Sequence, residues 1–396
     1  MITRFGSLFA GHVDLDDHGF DATPVNDRWL SNERLLSVFD KATRIAQLMD
    51  RRGYDVFWLA EHHFQREGYE VIPNILMLAL HLCHVTQHIK IGCGFNIAPM
   101  WHPLRLAEDY AVADYLTGGR VVFGVGRGYH TREVETFGAP MLSSDENREL
   151  FEEQVDIIFK AFNEEAFSHQ GKRYTLPPRV PYRGYELTDL TLVPRPTKLP
   201  VECYQPIVSA SPRGLDFMAR HGIKGVIGGG AAGGGAASKT VVAWQEAQAR
   251  RGRQTKLGEN LVVGIMFHIA ETEEQAINEA RPYFQEWMKM FAPLGFVPGL
   301  SDEQIRALAD PKLAPRTPLP TIEDAVRGGA WFVGPPQRLI ERIGALQDQF
   351  PGLEEVHVGQ VVGTDERVIL EQLDRFASDV MPAFKRAAAR EPAVVS

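Results

Sequence analysis

The sequence has only three cysteines in 396 residues, and this scarcity argues against a disulfide-stapled fold. Cys83, Cys93 and Cys203 form no paired framework and no CxxC motif. A reducing compartment is therefore the default expectation, and we predict a cytoplasmic protein.

Long apolar runs and blocks of basic residues are also missing. No stretch approaches the roughly 18 consecutive apolar residues of a membrane-spanning helix, and the N-terminal MITRFGSLF lacks the regions of a signal peptide. The net charge is −9, and the basic patch typical of nucleic-acid-binding proteins is absent. We therefore expect neither a membrane nor a nucleic acid as a partner.

The sequence does contain a regular alternation of short apolar runs and helical patterns. Short apolar runs are typical of strands that are buried on both faces. Their alternation with helices predicts a parallel sheet, and right-handed crossovers allow eight such units to close into a (β/α)8 TIM barrel. The predicted strands are Phe5 to Phe9, Asp55 to Ala60, Ile89 to Cys93, Val121 to Val125, Ile207 to Ser209, Gly225 to Ile227, Leu261 to Phe267 and Val356 to Val358.

One TIM barrel can occupy a chain of this length, so we predict a single α/β domain over residues 1–396. Two stretches fit the alternation poorly and are predicted to be insertions, at about 173–206 and about 293–352. Long insertions in a compact fold are usually functional covers or oligomer contacts. We expect some of them to wall a substrate cavity.

Polar or glycine-rich residues follow several predicted strands directly. The sequences EHHF, NIAPMWHP and GRGYH follow the second, third and fourth strands. A TIM barrel collects its active site at the C-terminal ends of its strands, so these segments are expected to meet there. Either motif taken alone would fit a surface loop or a turn, but their recurrence at successive strand ends favours a site.

Arg127 lies among glycines in the sequence Gly124-Val-Gly-Arg-Gly128. Glycines such as Gly126 and Gly128 let the backbone approach a ligand closely, and an arginine offers a forked donor to a phosphate. A tight turn with a surface arginine fits the same residues. A dinucleotide site is disfavoured, because the acidic ribose partner expected about 20 residues further on is missing.

A second candidate anion site lies in Ser209-Ala-Ser-Pro-Arg-Gly214, where the fifth strand leads into a helix. The free N–H groups of a helix start, together with serine hydroxyls, suit an anion. Ser211 is also an ordinary N-cap residue, but capping does not explain the adjacent Arg213. The glycine-rich segment Gly228 to Gly235 is expected to be flexible.

His62 and His63 are adjacent at a strand end and are therefore expected to face opposite ways. One of them facing the cavity would suit acid–base chemistry, with Glu61 orienting it or packing nearby, although a structural histidine is a real alternative. No HExxH or HxH pattern accompanies the pair, so we predict no metal site, and a metal-dependent TIM-barrel hydrolase is disfavoured.

Taken together, the segments EHHF, HPLRLAEDYAVADYLTGGRVVFGVGRG and SASP resemble the bacterial luciferase-like flavin monooxygenase family, and the later FVGPPQRLIERI resembles that family's helix before the last strand. The resemblance implies a TIM barrel that binds reduced FMN and activates O2 through a flavin hydroperoxide to oxidise a small organic substrate. A separate flavin reductase is the expected source of reduced FMN, and reduction of the flavin in place by bound NADH stays open as an alternative. Such a barrel is an oxidoreductase.

Site residues follow from the resemblance position by position. His62 matches the family's catalytic histidine, Arg127 its phosphate arginine and Ser211 its phosphate serine. Phe95-Asn96 falls where family members often hold a non-prolyl cis peptide beside the flavin ring. The predicted cofactor-binding residues are thus Phe95, Asn96, Gly126, Arg127, Gly128, Ser209, Ser211, Arg213 and Gly214.

Two further expectations concern the substrate and the assembly. Gly126 stands where the light-emitting luciferase subunit has a reactive cysteine, which puts light emission in doubt. A homodimer is expected from the resemblance and from apolar residues in excess of one helical stripe, namely Ile75, Leu76 and Leu80. A dry substrate cavity that would protect an oxygenated flavin is predicted from Phe64, Tyr69, Met100 and Trp101, with His130 beside it.

Two alternatives stay open on the sequence alone. A deazaflavin-dependent oxidoreductase could use the same barrel for hydride transfer, and the pairing of EHHF with GVGRG tips the balance to FMN. A non-catalytic flavin-binding accessory subunit is the other, and the joint presence of His62, Arg127 and Ser211 argues against it.

Overall fold

Strands and helices alternate through the computed structural model of the protein, which describes residues 1–228, 236–297 and 299–388. The strands are β1 (Arg4–Phe9), β2 (Val56–Leu59), β3 (Lys90–Cys93), β4 (Asn96–Ile97), β5 (Val121–Gly126), β6 (His169–Gln170), β7 (Thr175–Leu176), β8 (Pro181–Tyr182), β9 (Tyr185–Glu186), β10 (Cys203–Pro206), β11 (Lys224–Ile227), β12 (Leu261–Ile269), β13 (Trp331–Gly334) and β14 (Glu355–Gly359).

Helices follow most of the long strands and cover the outside of the sheet. They are α1 (Asn32–Arg52), α2 (Ile75–His84), α3 (Pro103–Leu116), α4 (Thr131–Val134), α5 (Ser144–Asn163), α6 (Pro212–His221), α7 (Ala236–Arg250), α8 (Glu273–Phe291), α9 (Asp302–Leu308), α10 (Ile322–Arg327), α11 (Pro336–Gln349), α12 (Glu366–Arg375) and α13 (Met381–Ala388). Among the described residues, no helix is both long and apolar enough to cross a membrane.

Eight parallel strands close into a barrel in the order β1, β2, β3, β5, β10, β11, β12 and β14, and β14 pairs back with β1. The predicted TIM barrel is confirmed. Because all eight strands run the same way, their C-terminal ends share one mouth of the barrel.

Bulky side chains fill the barrel where neighbouring strands carry glycine. Trp58 on β2 is 2% exposed and lies beside Gly92 on β3, where an added Cβ would come within 2.4 Å of the indole. Tyr204 on β10 packs edge-on against the same indole at 5.0 Å between ring centroids. Large and small residues thus interdigitate to native packing density inside the barrel.

The first helix shows how local sequence fixes an element boundary. Ser31 caps α1 by accepting a hydrogen bond from the backbone N–H of Arg34, and Gly53 ends it in the left-handed region at φ 73°. Glycine adopts that conformation at little cost, which makes it the usual residue after a helix. The apolar face of α1 is buried on the barrel.

The fifth barrel strand was predicted wrongly at Ile207 to Ser209, because the structure has it at Cys203–Pro206. The residues Tyr204-Gln-Pro look polar and contain a proline, so an apolar-run criterion passes over them. Ser209 is exposed and lies beyond the strand. The strand therefore falls inside the predicted insertion at about 173–206, which also carries the small hairpin of β8 and β9.

The predicted insertion at about 293–352 contains α9, α10, α11 and β13. β13 pairs in parallel with the C-terminal half of β12, whose N-terminal half pairs with β14. A strand longer than its barrel neighbours leaves free edge groups, and β13 satisfies them. The single-domain assignment stays a prediction.

The apolar residues that motivated the homodimer prediction do not form an exposed surface. Ile75 and Leu76 on α2 are 1% and 3% exposed, and Leu80 packs against the same core of the protomer. The excess of apolar residues on α2 is explained by the depth at which the helix is buried. This part of the argument for a dimer was wrong.

A matched pair of glycine substitutions tests the packing of the barrel. In Gly124→Ala the new Cβ would lie 2.0 Å from the backbone oxygen of Cys93, so β3 and β5 must separate. We expect a loss of stability of about 3 kcal/mol, at the upper end of overpacking costs because backbone is the obstacle. The readout is the thermal unfolding midpoint at a fixed scan rate.

Gly344→Ala is the control, because its Cβ would meet open space inside α11. Replacing a helical glycine by alanine stabilises by about 0.5–1 kcal/mol, so this midpoint should rise slightly. Equal midpoints for Gly124→Ala and the parent protein would show that the close approach of β3 and β5 is wrong.

Candidate active site

The polar segments that follow β2, β3, β5 and β10 gather at the C-terminal mouth of the barrel. Parallel pairing of β2 with β3, of β3 with β5 and of β5 with β10 makes these four ends neighbours. The predicted convergence of EHHF, NIAPMWHP and GRGYH follows directly from this strand order.

His62 and His63 face opposite ways, as predicted. The His62 ring is buried, with Nδ1 3.2 Å from Oε2 of Glu133 and Nε2 3.1 Å from the Tyr129 hydroxyl. The His63 Nε2 lies 3.2 Å from Oε1 of Glu61. The expectation that Glu61 orients the cavity-facing histidine is therefore wrong for His62, because successive residues point apart and Glu61 shares the side of His63.

Glu61 instead fastens the segment that follows β3. Its carboxylate is buried and accepts hydrogen bonds from the backbone N–H of Ile97 and from Nε1 of Trp101, each at 2.8 Å. Charge-assisted bonds of this kind are about twice as strong as neutral ones. The segments after β2 and β3 are thereby joined at the barrel mouth.

A buried polar network surrounds His62. Glu70 is 1% exposed, and its Oε1 accepts a hydrogen bond from the Tyr129 hydroxyl at 2.6 Å. Its other oxygen lies 2.9 Å from Nε2 of His130, and Gln65 donates to the same oxygen at 3.0 Å. The network thus joins residues after β2 to residues after β5.

The charges in this network support one another. Burial lowers the pKa of the His62 imidazole, but the carboxylates of Glu70 and Glu133 outweigh burial and leave that pKa raised. Burial raises the pKa of both carboxyl groups, but His62, His130 and the hydrogen bonds from Tyr129 and Gln65 together outweigh burial and leave both pKa values lowered. The pKa of the histidine and the pKa values of the two carboxyl groups are therefore shifted in the directions that favour an ion pair.

The same cluster has a geometry that a cation could use. Ligand atoms of His62, Glu70 and His130 lie within 4.8 Å of one another, and all three residues are buried. The sequence argument against a metal rested on local spacing such as HExxH, and these residues come from separate segments. That argument therefore does not decide the matter, although the same atoms are already hydrogen-bonded within the protein.

Arg127 provides the clearest sign of an anion site. Its Nη1 is buried and has no hydrogen-bond partner among the described residues. Burial, together with the nearby guanidinium groups of Arg148 and Arg213, lowers the pKa of Arg127. A buried cation that has no counter-ion and is repelled by neighbouring cations is costly unless an anion binds it.

Arg148 on α5 was missed by the sequence analysis. It makes no hydrogen bond or ion pair within the described parts of the chain, and its Nη1 lies 3.4 Å from the point where a Cβ on Gly214 would sit. Glu152 follows one helical turn after Arg148, and this spacing in the sequence would predict an ordinary surface ion pair between the two side chains. Glu152 instead binds Arg213, which leaves Arg148 free to face the start of α6.

The start of α6 supplies further donors. Ser211 occupies the N-cap position and Pro212 the first helical position, as predicted, but the Ser211 side chain makes no capping hydrogen bond. The N–H groups of a first helical turn lack carbonyl partners within the helix. The Arg213 guanidinium is paired with Glu152 in this arrangement, since Nε and Nη2 both donate to that carboxylate at 3.1 and 2.7 Å.

Glycines bring the backbone of β5 close to its neighbours. A Cβ on Gly126 would lie 3.2 Å from Cβ of Phe95, and one on Gly128, at φ 80°, would lie 2.6 Å from Val134. A larger residue at either position would displace the segment that carries Arg127. These two glycines are thus required by close packing, whatever ligand is bound.

The cis peptide expected at Phe95-Asn96 lies one bond earlier, between Gly94 and Phe95. Non-proline cis bonds are rare, and glycine, which has no Cβ, crowds its neighbour least across such a bond. Asn96 is fully buried, and its side-chain amide donates to the backbone oxygen of Gly124 at 2.9 Å. Its amide nitrogen therefore holds β5 in place.

The residues predicted to line a substrate cavity lie in different surroundings. Phe64 is 54% exposed at φ 61° and stacks on Phe137 at 5.6 Å. The Tyr69 hydroxyl is buried, where it donates to Glu286 and accepts from Nε of Arg28. Tyr69 thus belongs to a buried ionic cluster that ties the loop after β1 to α8.

Two other predicted cavity residues pack beneath the mouth. Met100 contacts a small apolar cluster that includes Ile97 and Val134, and the Trp101 indole is bonded to Glu61. His130 belongs to the polar network. Of the five, Phe64 is the one whose ring is largely exposed at the barrel mouth, and the cavity stays a prediction. The glycine-rich segment Gly228 to Gly235 lies outside the described residues beyond Gly228.

Comparison with curated proteins finds relatives that span most of the chain. The oxygenase component of the flavin-dependent trigonelline monooxygenase of Acinetobacter baylyi is 24% identical over 88% of this chain and 90% of the relative. Limonene 1,2-monooxygenase of Rhodococcus erythropolis is 25% identical over 86% of this chain and 80% of the relative. A shorter match, 32% identical, spans only 39% of an uncharacterized protein of Sinorhizobium fredii.

Comparison with solved structures finds the same barrel. The oxygenating constituent of 3,6-diketocamphane monooxygenase from Pseudomonas putida, solved in complex with FMN, superimposes with a TM-score of 0.71 at 19% identity, over 96% of this chain and 98% of the other. An F420-dependent secondary alcohol dehydrogenase superimposes with a TM-score of 0.65 at 15% identity, over 97% and 99% of the two chains. At these identities the likeness shows the fold.

The family model described as luciferase-like monooxygenase matches residues 14–351, which include every segment that forms the barrel mouth up to the end of α11. The chain therefore belongs to the luciferase-like monooxygenase family of oxidoreductases.

Proposed function

We propose that this protein is a flavin-dependent monooxygenase that uses reduced FMN and O2 to oxidise a small organic substrate. The observation that carries the proposal is the buried and unpaired Nη1 of Arg127, which lies beside Arg148 near the start of α6. The names of the relatives that span most of the chain support oxygen chemistry.

The residues present fit the phosphate of FMN. Arg127 and Arg148 would supply two guanidinium groups, and the first turn of α6 would supply N–H groups next to the hydroxyls of Ser209 and Ser211. A helix start and arginine side chains together form a common phosphate site. Arg213 would contribute through its backbone, because its guanidinium is bound to Glu152.

Reduced FMN, when bound, would supply the electrons that activate O2. His62 lies in the same barrel mouth, and its raised pKa favours the positively charged ring. A fixed positive charge stabilises negative charge as it develops on oxygen, and it does so most effectively in a site from which water is excluded. His62 would hold a proton at Nε2 for that purpose, while His63 and Glu61 fix the loop.

Reduced FMN from a separate flavin reductase is the proposed supply, since one relative is named as an oxygenase component. Deazaflavin-dependent hydride transfer uses the same barrel in a structural neighbour, but that likeness concerns the fold alone. A homodimer is retained as a proposal from the family resemblance.

Removal of either free arginine should weaken the binding of FMN. Loss of one charged hydrogen bond to phosphate costs about 1.5–3 kcal/mol, so Arg127→Ala and Arg148→Ala should each bind FMN roughly ten- to a hundredfold more weakly. Anaerobic titration with reduced FMN measures the affinity. Riboflavin, which lacks the phosphate, should bind the parent and both variants alike.

The control for this experiment is Arg105→Ala on α3, which removes an exposed arginine already paired with Glu108 and Asp109. It should bind FMN as the parent does. If Arg127→Ala binds reduced FMN as tightly as the parent, the phosphate assignment is wrong.

The two histidines should differ in their effects on turnover and stability. Removal of a group that supplies or holds a proton usually costs about 10²–10⁴ in rate, so His62→Ala should keep FMN binding and lose most oxygen-dependent turnover. His63→Ala should lower the thermal midpoint instead, because Glu61 loses a buried partner. Flavin reoxidation after mixing with O2, followed by visible absorbance, separates the two. Exchanged phenotypes would assign the catalytic role to His63.

A further inference from the structure

His62 lies between two carboxylates that reach it from different segments. Glu133 on α4 faces Nδ1 at 3.2 Å, and Glu70, from the loop after β2, lies 3.5 Å from Nε2. The Tyr129 hydroxyl stands between Glu70 and that nitrogen. Both ring nitrogens of His62 therefore have polar partners within the protein.

The hydrogen atoms available to this chain of contacts determine which groups donate. A tyrosine hydroxyl carries one hydrogen, and an ionised carboxylate can only accept. The Tyr129 hydroxyl lies 2.6 Å from Glu70 and therefore gives its hydrogen to that carboxylate. The 3.1 Å contact between the Tyr129 oxygen and Nε2 of His62 then requires a hydrogen on the histidine nitrogen.

The opposite side of the ring leads to the same requirement. Glu133 is also an acceptor, so Nδ1 of His62 must donate to it. A histidine that donates from both nitrogens is an imidazolium. Each observed contact is satisfied by that form, whereas a neutral ring beside two ionised carboxylates leaves one contact between two acceptors.

We propose that His62 is a standing imidazolium in this protein, and that Tyr129 and Glu70 are positioning residues which hold its Nε2 hydrogen in place. The protonation state is a property of the unliganded chain, whereas its use in oxygen chemistry rests on the proposed function. Neither Tyr129 nor Glu70 needs to contact a cofactor for this role.

Charge balance in the barrel mouth supports the proposal. Two ionised carboxylates buried together are costly without a cation. The nearby arginine on α4, Arg132, pairs with Glu67 at 2.8 Å and does not serve them. Two further titratable groups face the network. Glu61 forms its hydrogen bonds outside the network, and His130 contacts Glu70.

The pH range of the pairing follows from the directions of the pKa shifts. The lowered carboxyl pKa values of Glu70 and Glu133 mean that their contribution to stability is lost as pH falls through those values. The raised pKa of His62 means that its contribution is complete below the unfolded-state value and is lost as pH rises through the folded-state value. The pairing therefore holds between the lowered pKa values of the two carboxyl groups and the raised pKa of His62.

The Tyr129 ring also links this pairing to the segment after α8. It packs against Phe296 at 4.9 Å and against Phe291 at 6.5 Å between ring centroids. These rings restrict the positions that the hydroxyl can take. The predicted insertion thereby contributes to the orientation of the Nε2 hydrogen of His62. A ligand that accepts this hydrogen must first displace the Tyr129 hydroxyl.

Nuclear magnetic resonance of the flavin-free protein tests the proposal directly. In protein labelled with ¹⁵N at histidine, two-bond ¹H–¹⁵N spectra report the protonation of each ring nitrogen, and the His62 signals are those missing in His62→Gln. At about pH 7, above the ordinary histidine pKa of about 6.5, both nitrogens of His62 should carry hydrogen. A nearby opposite charge shifts a pKa by about 1–3 units, so Glu70→Gln and Glu133→Gln should each lower the titration midpoint by about a unit or more.

Tyr129→Phe and Glu67→Gln complete the set. Tyr129→Phe removes the acceptor at Nε2 but neither carboxylate, so it should lower the midpoint less than Glu70→Gln and broaden or shift the Nε2 resonance. Glu67→Gln changes a carboxylate that is bound to Arg132 and should leave the midpoint unchanged. If either isosteric glutamine variant fails to fold, Tyr129→Phe and the parent titration still decide the matter.

Three results would overturn the proposal. The first is a neutral His62 at about pH 7 in the parent protein. The second is an equal His62 titration midpoint in Glu70→Gln, Glu133→Gln and Glu67→Gln. Stoichiometric metal in the purified protein is the third, since Nε2 would then be a ligand. These measurements are made without flavin, so they can contradict the proposal about His62 without bearing on the proposed FMN site. The titration of Arg127→Ala with reduced FMN tests that site.

Discussion

The parallel hydrogen bonds between β1 and β14 close the sheet into a barrel, and every feature of the site depends on that closure. A closed sheet of parallel strands has a single mouth at its C-terminal ends. Residues that are far apart in the sequence meet there without any long excursion of the backbone. An open sheet with the same strands would spread these segments along an edge.

Buried charge is the second constraint on the barrel mouth. Two arrangements of ionisable groups concern the proposed site, one around His62 and one around Arg127. The first is satisfied internally, since its carboxylates and histidines bond to one another. The second is not, because a guanidinium nitrogen of Arg127 is buried with no hydrogen-bond partner among the described residues. This difference separates a prearranged part of the site from a part that requires a ligand.

The sequence was informative wherever residues with polar or ionisable side chains followed an apolar run directly. β1, β2, β3 and β5 were placed to within a residue or two, and Arg127 and His62 were selected because they follow such strands. The strand at Cys203–Pro206 was misplaced because its inward residues are polar or aromatic. An apolar-run criterion detects burial on both faces and misses a strand whose interior side chain is a tyrosine.

The polar network could not be read from the sequence, because its contacts join residues far apart in the chain. His130 and Glu70 are 60 positions apart, and no local spacing relates them. Arg148 was concealed for a different reason, since Glu152 one turn along offers it a plausible partner. Only the structure shows that Glu152 has bound Arg213 instead.

Of the three arginines near the start of α6, Arg213 is paired with Glu152 and the other two have no ion-pair partner among the described residues, which has a practical consequence. Without a ligand, Arg127 and Arg148 repel each other and Arg213 in a partly buried setting. Any small multivalent anion that relieves the repulsion stabilises the folded chain by mass action, to an extent set by its concentration relative to its dissociation constant. Phosphate or sulfate in a buffer would therefore raise the melting temperature of the empty protein and weaken its apparent affinity for a phosphorylated cofactor. The choice of buffer anion therefore affects both the measured melting temperature and the measured cofactor affinity.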